Sequence, residues 1–150
     1  MRKIKVNEIY YSIQGESSLS GLPCIFIRLT YCNLRCSYCD SEYAFYEGED
    51  MTINQILTEI KKYPSSLVEV TGGEPLLQSG CIDVLNEIIT KKYQVMIEKG
   101  GSLPVNLVHE NVKKIIDFKC PSSNMEHKNL WEILDYVSKN DEIKFVIGDK

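Results

Sequence analysis

Three cysteines within eight residues, Cys32-Asn33-Leu34-Arg35-Cys36-Ser37-Tyr38-Cys39, are the groups in this chain best suited to chemistry. The C-x3-C-x2-C spacing places three thiolates in one loop, too close together to be wrapped into separate structural bridges. Three thiolates suit an iron–sulfur cluster whose fourth iron has no protein ligand and is open to a substrate or cofactor. The same residues are compatible with a zinc site that takes a fourth ligand from elsewhere, or with three ordinary cysteines. Structural zinc more often shows paired C-x2-C or Cys/His partners. A second motif, Gly72-Gly73-Glu74-Pro75, reads on its own as a plain turn, since Gly and Pro punctuate loops everywhere. In company with the cysteines it carries more weight.

The elements that must position these groups alternate between strand and helix. Cys24 to Leu29 is a short, mostly apolar β-prone run that leads into the cysteine loop. Thr52 to Lys62 reads as a helix, with Thr52 and Gln55 at capping-box spacing and Ile53, Ile56, Leu57 and Ile60 on one face. Leu67 to Thr71 is a strand ending at Gly72-Gly73. Cys81 to Lys92 reads as a helix with Ile82, Leu85, Ile88 and Ile89 inward. Tyr93 to Glu98 and Lys114 to Lys119 are strands, Asn129 to Lys139 is helical with Leu130, Ile133, Leu134 and Val137 on one face, and Ile143 to Ile147 is a last strand. This alternation predicts an α/β fold with a largely parallel sheet, whose functional groups sit at the carboxyl ends of the strands. The cysteine loop, Gly72-Gly73-Glu74-Pro75, Glu98 and Asp117-Phe118-Lys119-Cys120-Pro121 all fall at such ends and form a rim. No internal repeat or low-complexity linker interrupts the pattern.

The bulk numbers fit one soluble domain over residues 1–150. Hydrophobic residues make up 43% and charged residues 25% of the chain, an ordinary globular balance. The net charge of −4 argues against a nucleic-acid partner, which calls for a basic excess. Met1-Arg2-Lys3-Ile4-Lys5 is followed by polar residues, so no signal peptide is expected, and no apolar run approaches a membrane span. The six cysteines are then expected free or metal-bound in a reducing, cytoplasmic compartment.

Taken together, C-x3-C-x2-C after one strand and Thr71-Gly72-Gly73-Glu74-Pro75 after the next resemble the radical S-adenosylmethionine (SAM) superfamily. Within it, Ile9-Tyr10-Tyr11-Ser12-Ile13-Gln14-Gly15-Glu16, Phe26-Ile27-Arg28-Leu29, Cys39-Asp40-Ser41, Lys119-Cys120-Pro121-Ser122-Ser123 and Glu142-Ile143-Lys144-Phe145-Val146 resemble the 7-carboxy-7-deazaguanine synthase family, from about residue 5 to the end. The resemblance implies a partial (β/α) barrel and a radical SAM lyase. Such an enzyme converts 6-carboxy-5,6,7,8-tetrahydropterin to 7-carboxy-7-deazaguanine with loss of ammonia, on the route to queuosine and other deazapurines. It implies a [4Fe–4S] cluster on Cys32, Cys36 and Cys39, with SAM on the fourth iron. Tyr38, Cys39, Asp40, Gly73, Asp117, Phe118 and Lys119 would lie against SAM, and Ile13, Gln14, Gly15, Arg28 and Thr71 against the pterin. Arg28 would pair with the substrate carboxylate, a task its planar fork suits. A salt bridge to an acidic side chain is the alternative. Ser41, where relatives commonly have threonine, would offer a hydroxyl to Mg2+. An electron donor such as flavodoxin or ferredoxin and a homodimer are also implied.

Two departures from the family pattern stand out. Relatives usually carry Glu-Thr-Asn/Ser-Gly where this chain has Glu98-Lys99-Gly100-Gly101, which places a long cation near the rim. Relatives also continue past the last strand, so the chain is expected to be shortened at its carboxyl end. Cys24 and Cys81 read as small core residues, and His109, His127 and Trp131 as surface, packing or interface residues. An activase that installs a glycyl radical in a partner protein is the alternative of a different class, and a non-catalytic cluster-binding relative is a third. Ile13-Gln14-Gly15-Glu16 and Lys119-Cys120-Pro121-Ser122-Ser123 favour the synthase over the activase.

Overall fold

A computed structural model describes residues 3–148. Met1 and Arg2, part of the stretch read above as carrying no signal peptide, and the chain end at Lys150 lie outside the described residues. The strands are β1 (Lys3–Ile13), β2 (Pro23–Leu29), β3 (Glu49–Thr52), β4 (Leu67–Gly72), β5 (Gln94–Gly100), β6 (Val112–Asp117) and β7 (Glu142–Lys144), with helices α1 (Ile53–Ile60) and α2 (Cys81–Thr90). They form one open seven-stranded sheet in the order β3-β1-β2-β4-β5-β6-β7. The five strands from β2 to β7 run parallel, and β1 and β3 are antiparallel additions at one edge. The α/β class and the mostly parallel sheet expected from the sequence are therefore present.

Strand parity sorts the side chains, because successive residues point to opposite faces. Ile25, Ile27 and Leu29 on β2, Val68 and Val70 on β4, and Val95 and Ile97 on β5 pack against α1 and α2 in the main core. The intervening residues face the other way. There Cys24, Phe26, Leu67, Met96 and Ile115 build a smaller apolar patch. Above it, towards the carboxyl ends of the strands, the same face turns polar and carries the candidate site.

Helix α1 forms where expected. Thr52 Oγ1 accepts the Gln55 amide at 3.3 Å and Gln55 Oε1 accepts the Thr52 amide at 2.8 Å, completing the capping box. Ile56, Leu57 and Ile60 are buried. In α2 the buried stripe is Cys81, Val84, Leu85 and Ile88, the i, i+3, i+4, i+7 pattern of an amphipathic helix. Ile82 and Ile89, expected inward, flank it half-buried.

Several elements differ from expectation, among them the last strand, which covers Glu142–Lys144 rather than Ile143 to Ile147. β1 and β3 had no counterpart in the sequence reading. β1 carries a register shift between Val6 and Glu8 that breaks its two-residue period, and β3 is a short acidic edge. The expected helix over 129–139 is instead a single 3-10 segment, Trp131–Tyr136. Asn129 explains it: its side chain accepts from Lys119 N at 3.0 Å and donates to Lys119 O at 2.9 Å, while Leu130 N donates to Gly101 O. Those bonds hold Asn129 and Leu130 in an extended conformation, so that the helical segment begins only at Trp131. Ile133 is buried, but Leu134 is 48% exposed.

Candidate active site

The loop after β2 turns sharply at Tyr31, which adopts a left-handed φ of 78°. Tyr31 accepts the Glu74 amide on its carbonyl oxygen at 2.9 Å, which fixes the cysteine loop against the turn after β4. That contact leaves no room for side chains. A Cβ at Gly72 would approach Leu29 O to 2.7 Å, and one at Gly73 would run into Tyr31 O and come within 2.8 Å of the Cys32 Cβ. The glycines of Gly72-Gly73-Glu74-Pro75 are thus required by close backbone approach. Gly73→Ala is expected to destabilise the chain by about 1–3 kcal/mol, as overpacking does, and to lower iron uptake by displacing Cys32. Thermal unfolding and iron content after reconstitution check both effects.

The rest of the cysteine loop is clamped from three sides. Arg35 donates to Cys32 O at 2.8 Å and Leu34 O at 2.6 Å, with its guanidinium 4.0 Å from the Phe45 ring centre. Ser37 donates through its amide to Ser123 O and through its hydroxyl to Ser122 O. The Leu34 amide points at the Cys32 sulfur at 3.4 Å. Cys32, Cys36 and Cys39 are all unpaired, half-buried and open to one cavity of about 790 Å3. Burial pushes the Cys32 and Cys36 thiols above the usual range. Among the described residues no three His, Cys, Asp or Glu donors converge on a point where they could hold one metal ion. A single zinc needs its sulfurs all at about 2.3 Å. A cluster instead binds each thiolate through a separate iron, and all three thiols open to the one cavity where such a group would sit.

The other expected residues meet the same cavity from several elements. Tyr38, Asp40 and Ser41 line it from the cysteine loop, Thr71 and Gly73 from the end of β4, and Asp117 and Lys119 from the end of β6. Lys119 Nζ donates to Asp117 Oδ2 at 2.9 Å and stands 5.9 Å from the Tyr38 ring centre. Burial opposes the Lys119 charge, but Asp117 outweighs it and raises the pKa. Asp117 Oδ1 is buried with no hydrogen-bond partner, an acceptor left for a hydroxyl or amine of a ligand. Ser41 Oγ donates to Asp40 Oδ1 at 2.8 Å, which sets two hard oxygens side by side, the donor type Mg2+ takes. The cysteine triad, the side-chain-free Gly73 and the orphaned Asp117 oxygen together fit a cluster with a polar cofactor beside it.

Phe118 does not join them. Its side chain is fully buried on the opposite side of the extended backbone, stacked 4.8 Å from Trp131. Trp131, expected in packing or at an interface, is 56% exposed and stacks on Phe118.

On the far side of the cavity, Arg28 is held by Glu8 Oε1 at 2.8 Å, by Gly72 O at 3.3 Å and by the Tyr10 hydroxyl at 3.3 Å. The structural salt bridge is therefore present, and two of the five guanidinium N–H groups remain for a ligand. Ile13, Gln14 and Gly15 also line the cavity. Gln14, however, is fully engaged. Its amide donates to Leu22 O, its carbonyl accepts from Gly21 N, its Oε1 accepts from Glu16 N, and its Nε2 donates to Glu69 and Met96. It shapes the wall.

Several lining residues were not among the sequence candidates: Tyr10, Glu16, Glu69, Glu74 and Lys144. Lys144 on β7 reaches Glu98 at 2.5 Å and Glu16 at 2.7 Å, which links the last strand to the loop after β1. Lys99, expected near the rim, does border the cavity, but its side chain has the parity of the helix face. Its ammonium is buried, donates to Gly100 O and to Leu103 O, and lies 4.0 Å from Glu74.

Comparison with known proteins agrees with this geometry. Residues 26–142 match the Radical SAM superfamily. A 7-carboxy-7-deazaguanine synthase from Koribacter versatilis is 48% identical over 98% of this chain and 66% of its own length, so the chain spans just under two thirds of that relative. One from Thermoplasma acidophilum is 34% identical over 96% of this chain and 70% of its own length. The crystal structure of QueE from Escherichia coli shares the fold, with a TM-score of 0.83 at 22% identity, covering 98% of this chain and 72% of that one. With its cysteine triad and glycine turn locked together at the carboxyl ends of a parallel sheet, the chain belongs to the 7-carboxy-7-deazaguanine synthase family of the radical SAM superfamily.

Proposed function

We propose that the chain acts as one radical SAM unit that converts 6-carboxy-5,6,7,8-tetrahydropterin to 7-carboxy-7-deazaguanine with loss of ammonia. The observation that carries this reading is the convergence of Cys32, Cys36 and Cys39 with Gly73, Asp117, Arg28 and Thr71 on one cavity. Cys32, Cys36 and Cys39 would hold a [4Fe–4S] cluster. With SAM beside it, such a cluster would supply one-electron reducing chemistry to the cofactor.

This chain's own residues bind and orient. Gly73 lets the turn's backbone approach the methionine part of SAM, and Asp117 Oδ1 accepts a hydrogen bond from SAM while Lys119 balances its charge. Tyr38, Cys39 and Asp40 would border SAM on the loop side, with Phe118 supporting from beneath. Arg28, already oriented by Glu8, turns its spare N–H groups to the substrate carboxylate. Thr71, Ile13 and Gly15 bound the ring, and Ser41 with Asp40 would seat Mg2+ beside it. A reductant such as flavodoxin or ferredoxin, a cytoplasmic location and a homodimer complete the reading. The unpaired cysteines suit a reducing compartment, and among the described residues no helix is long and apolar enough to cross a membrane. The exposed Trp131, Leu134, Tyr136 and Phe145 offer a second copy an apolar surface.

Anaerobic reconstitution with iron and sulfide, followed by SAM, Mg2+, a strong reductant and 6-carboxytetrahydropterin, tests the reading. Chromatography should show 5′-deoxyadenosine and 7-carboxy-7-deazaguanine rising together. Deoxyadenosine alone overturns the substrate assignment and favours the activase. Neither product, from protein that holds its cluster, overturns catalysis altogether.

A further inference from the structure

One acidic side chain on the cavity floor has no counter-ion. Glu69 on β4 is 2% exposed and lines the cavity just above the apolar patch of Phe26, Leu67, Met96 and Ile115. Its Oε2 accepts from Gln14 Nε2. Among the described residues, no Lys, Arg or His forms an ion pair with it. A carboxylate buried in such a place is costly unless it is protonated or meets a donor.

The groups that face Glu69 make its isolation specific. On β5 stands Glu98, whose carboxyl group shares a hydrogen bond with Glu69, and from the loop after β1 comes Glu16. Lys144 on β7 holds both of these and is spent on them. From β2, the neutral Cys24 thiol lies below, and burial first, then the Glu69 charge, push its pKa to about 12. Arg28, also on β2, is turned away to Glu8 and Tyr10 on β1. Two of the three carboxyl groups, Glu16 and Glu98, therefore share one ammonium, and Glu69 is left outside the pairing. Burial first, then the charge on Glu98, raise Glu69 to about 8, so it carries its proton at neutral pH.

This makes the cavity polar along its length. Arg28 pairs with Thr71 across β2 and β4, while Glu69 lies two residues deeper on the same face. The upper end offers N–H donors to an anion, and the floor offers carboxyl oxygens to N–H donors. A flat ligand with a carboxylate at one end and paired N–H groups at the other matches both ends.

We infer that Glu69 reads the nitrogen edge of the substrate, its carboxylate accepting the paired N–H donors of an amidine-type edge beside Glu98 while the substrate carboxylate lies towards Arg28. This rests on the pterin reading above, whose ring carries such an edge. Binding breaks the Glu69 O–H bond, the proton passes to the buffer, and no other covalent bond changes. Gln14 keeps its hydrogen bond and holds the carboxylate in place.

The test uses the reconstituted, SAM-bound chain without reductant, so that no turnover intervenes. The probe is pterin-6-carboxylic acid. Its partner is lumazine-6-carboxylic acid, the same molecule with oxygen in place of the 2-amino group. Calorimetry at pH 7 in two buffers of different ionisation enthalpy counts protons. The wild type should release about one proton on binding the pterin and bind the lumazine at least about ten-fold more weakly, as expected when a carboxylate loses a donor. Glu69→Gln should lose both the proton release and the preference while still binding through Arg28. A variant that keeps both overturns the role of Glu69 and leaves the pterin reading standing. A wild type that binds neither compound overturns the pterin reading, and this inference with it. Should Glu69→Gln fail to fold, the wild-type proton count decides alone: release supports the assignment, and binding without release overturns it.

Discussion

Alanine at Cys32, Cys36 or Cys39 is expected to leave the reconstituted chain without its cluster and to reduce SAM cleavage to background. Each thiolate serves one iron, so two remaining ligands cannot hold the assembly. The loss should exceed about 100-fold, since even changes to the groups around metal ligands cost roughly 10–100-fold. The three other cysteines sharpen the test. Cys24 and Cys81 are wholly buried, and burial drives both thiols far above neutral, so neither offers a thiolate. Cys120 is half-buried and outside the cavity lining. Cys24→Ala, Cys81→Ala and Cys120→Ala should therefore keep their iron and sulfide content, with only a packing cost at the two buried positions. Iron and sulfide analysis with 5′-deoxyadenosine quantified by chromatography reads the whole series. Full cluster content and turnover in any one of the first three variants would sink the assignment.

Local signals made the cysteines legible. Their spacing lies within one loop, and β2, β4, β5 and β6 are short apolar runs bounded by Gly, Pro or charge. The capping box at Thr52 and Gln55 is also a local pattern, and it was found in place. The misplacements share a different cause. Asn129 stops a helix by bonding to Lys119, ten residues earlier, and periodicity inside 129–139 cannot carry that information. Phe118 is fixed by parity: its neighbours Asp117 and Lys119 face the cavity, so it must face the core. Glu69 did have a signal in the sequence, a lone acid inside the apolar run Leu67-Val68-Glu69-Val70, where burial without a partner is costly. It stands two residues before Thr71-Gly72-Gly73-Glu74-Pro75, and the apolar run around it read simply as the strand that leads to that motif.

Lys99 shows how far a strand boundary can move a functional reading. Ending β5 at Glu98 leaves Lys99 free at the rim. Extending β5 to Gly100 turns it to the helix face, beneath the Glu74 that closes the glycine turn. Glu74 is 1% exposed; its Oε2 accepts Gly100 N at 2.9 Å and its Oε1 accepts Leu76 N at 3.2 Å. Burial lowers the Lys99 pKa and raises that of Glu74, and each partner offsets part of the other's shift. Lys99→Met is therefore expected to strand a buried carboxylate and to cost roughly 3–5 kcal/mol, the range for breaking such a pair. Lys99→Thr installs the residue common among relatives, yet it should cost a similar amount, because Glu74 and the carbonyls of Gly100 and Leu103 would still lose their cation. Adding Glu74→Gln to Lys99→Met should recover part of the loss, since a neutral amide removes the stranded charge. Urea denaturation of the wild type, Lys99→Met, Glu74→Gln and the double variant measures this coupling, with Lys99→Thr run beside them. An effect on SAM affinity in Lys99→Met would follow from the turn itself, because Glu74 N–H holds Tyr31 and Tyr31 precedes Cys32. A Lys99→Met chain as stable as the wild type would show that the buried ammonium contributes nothing to the turn.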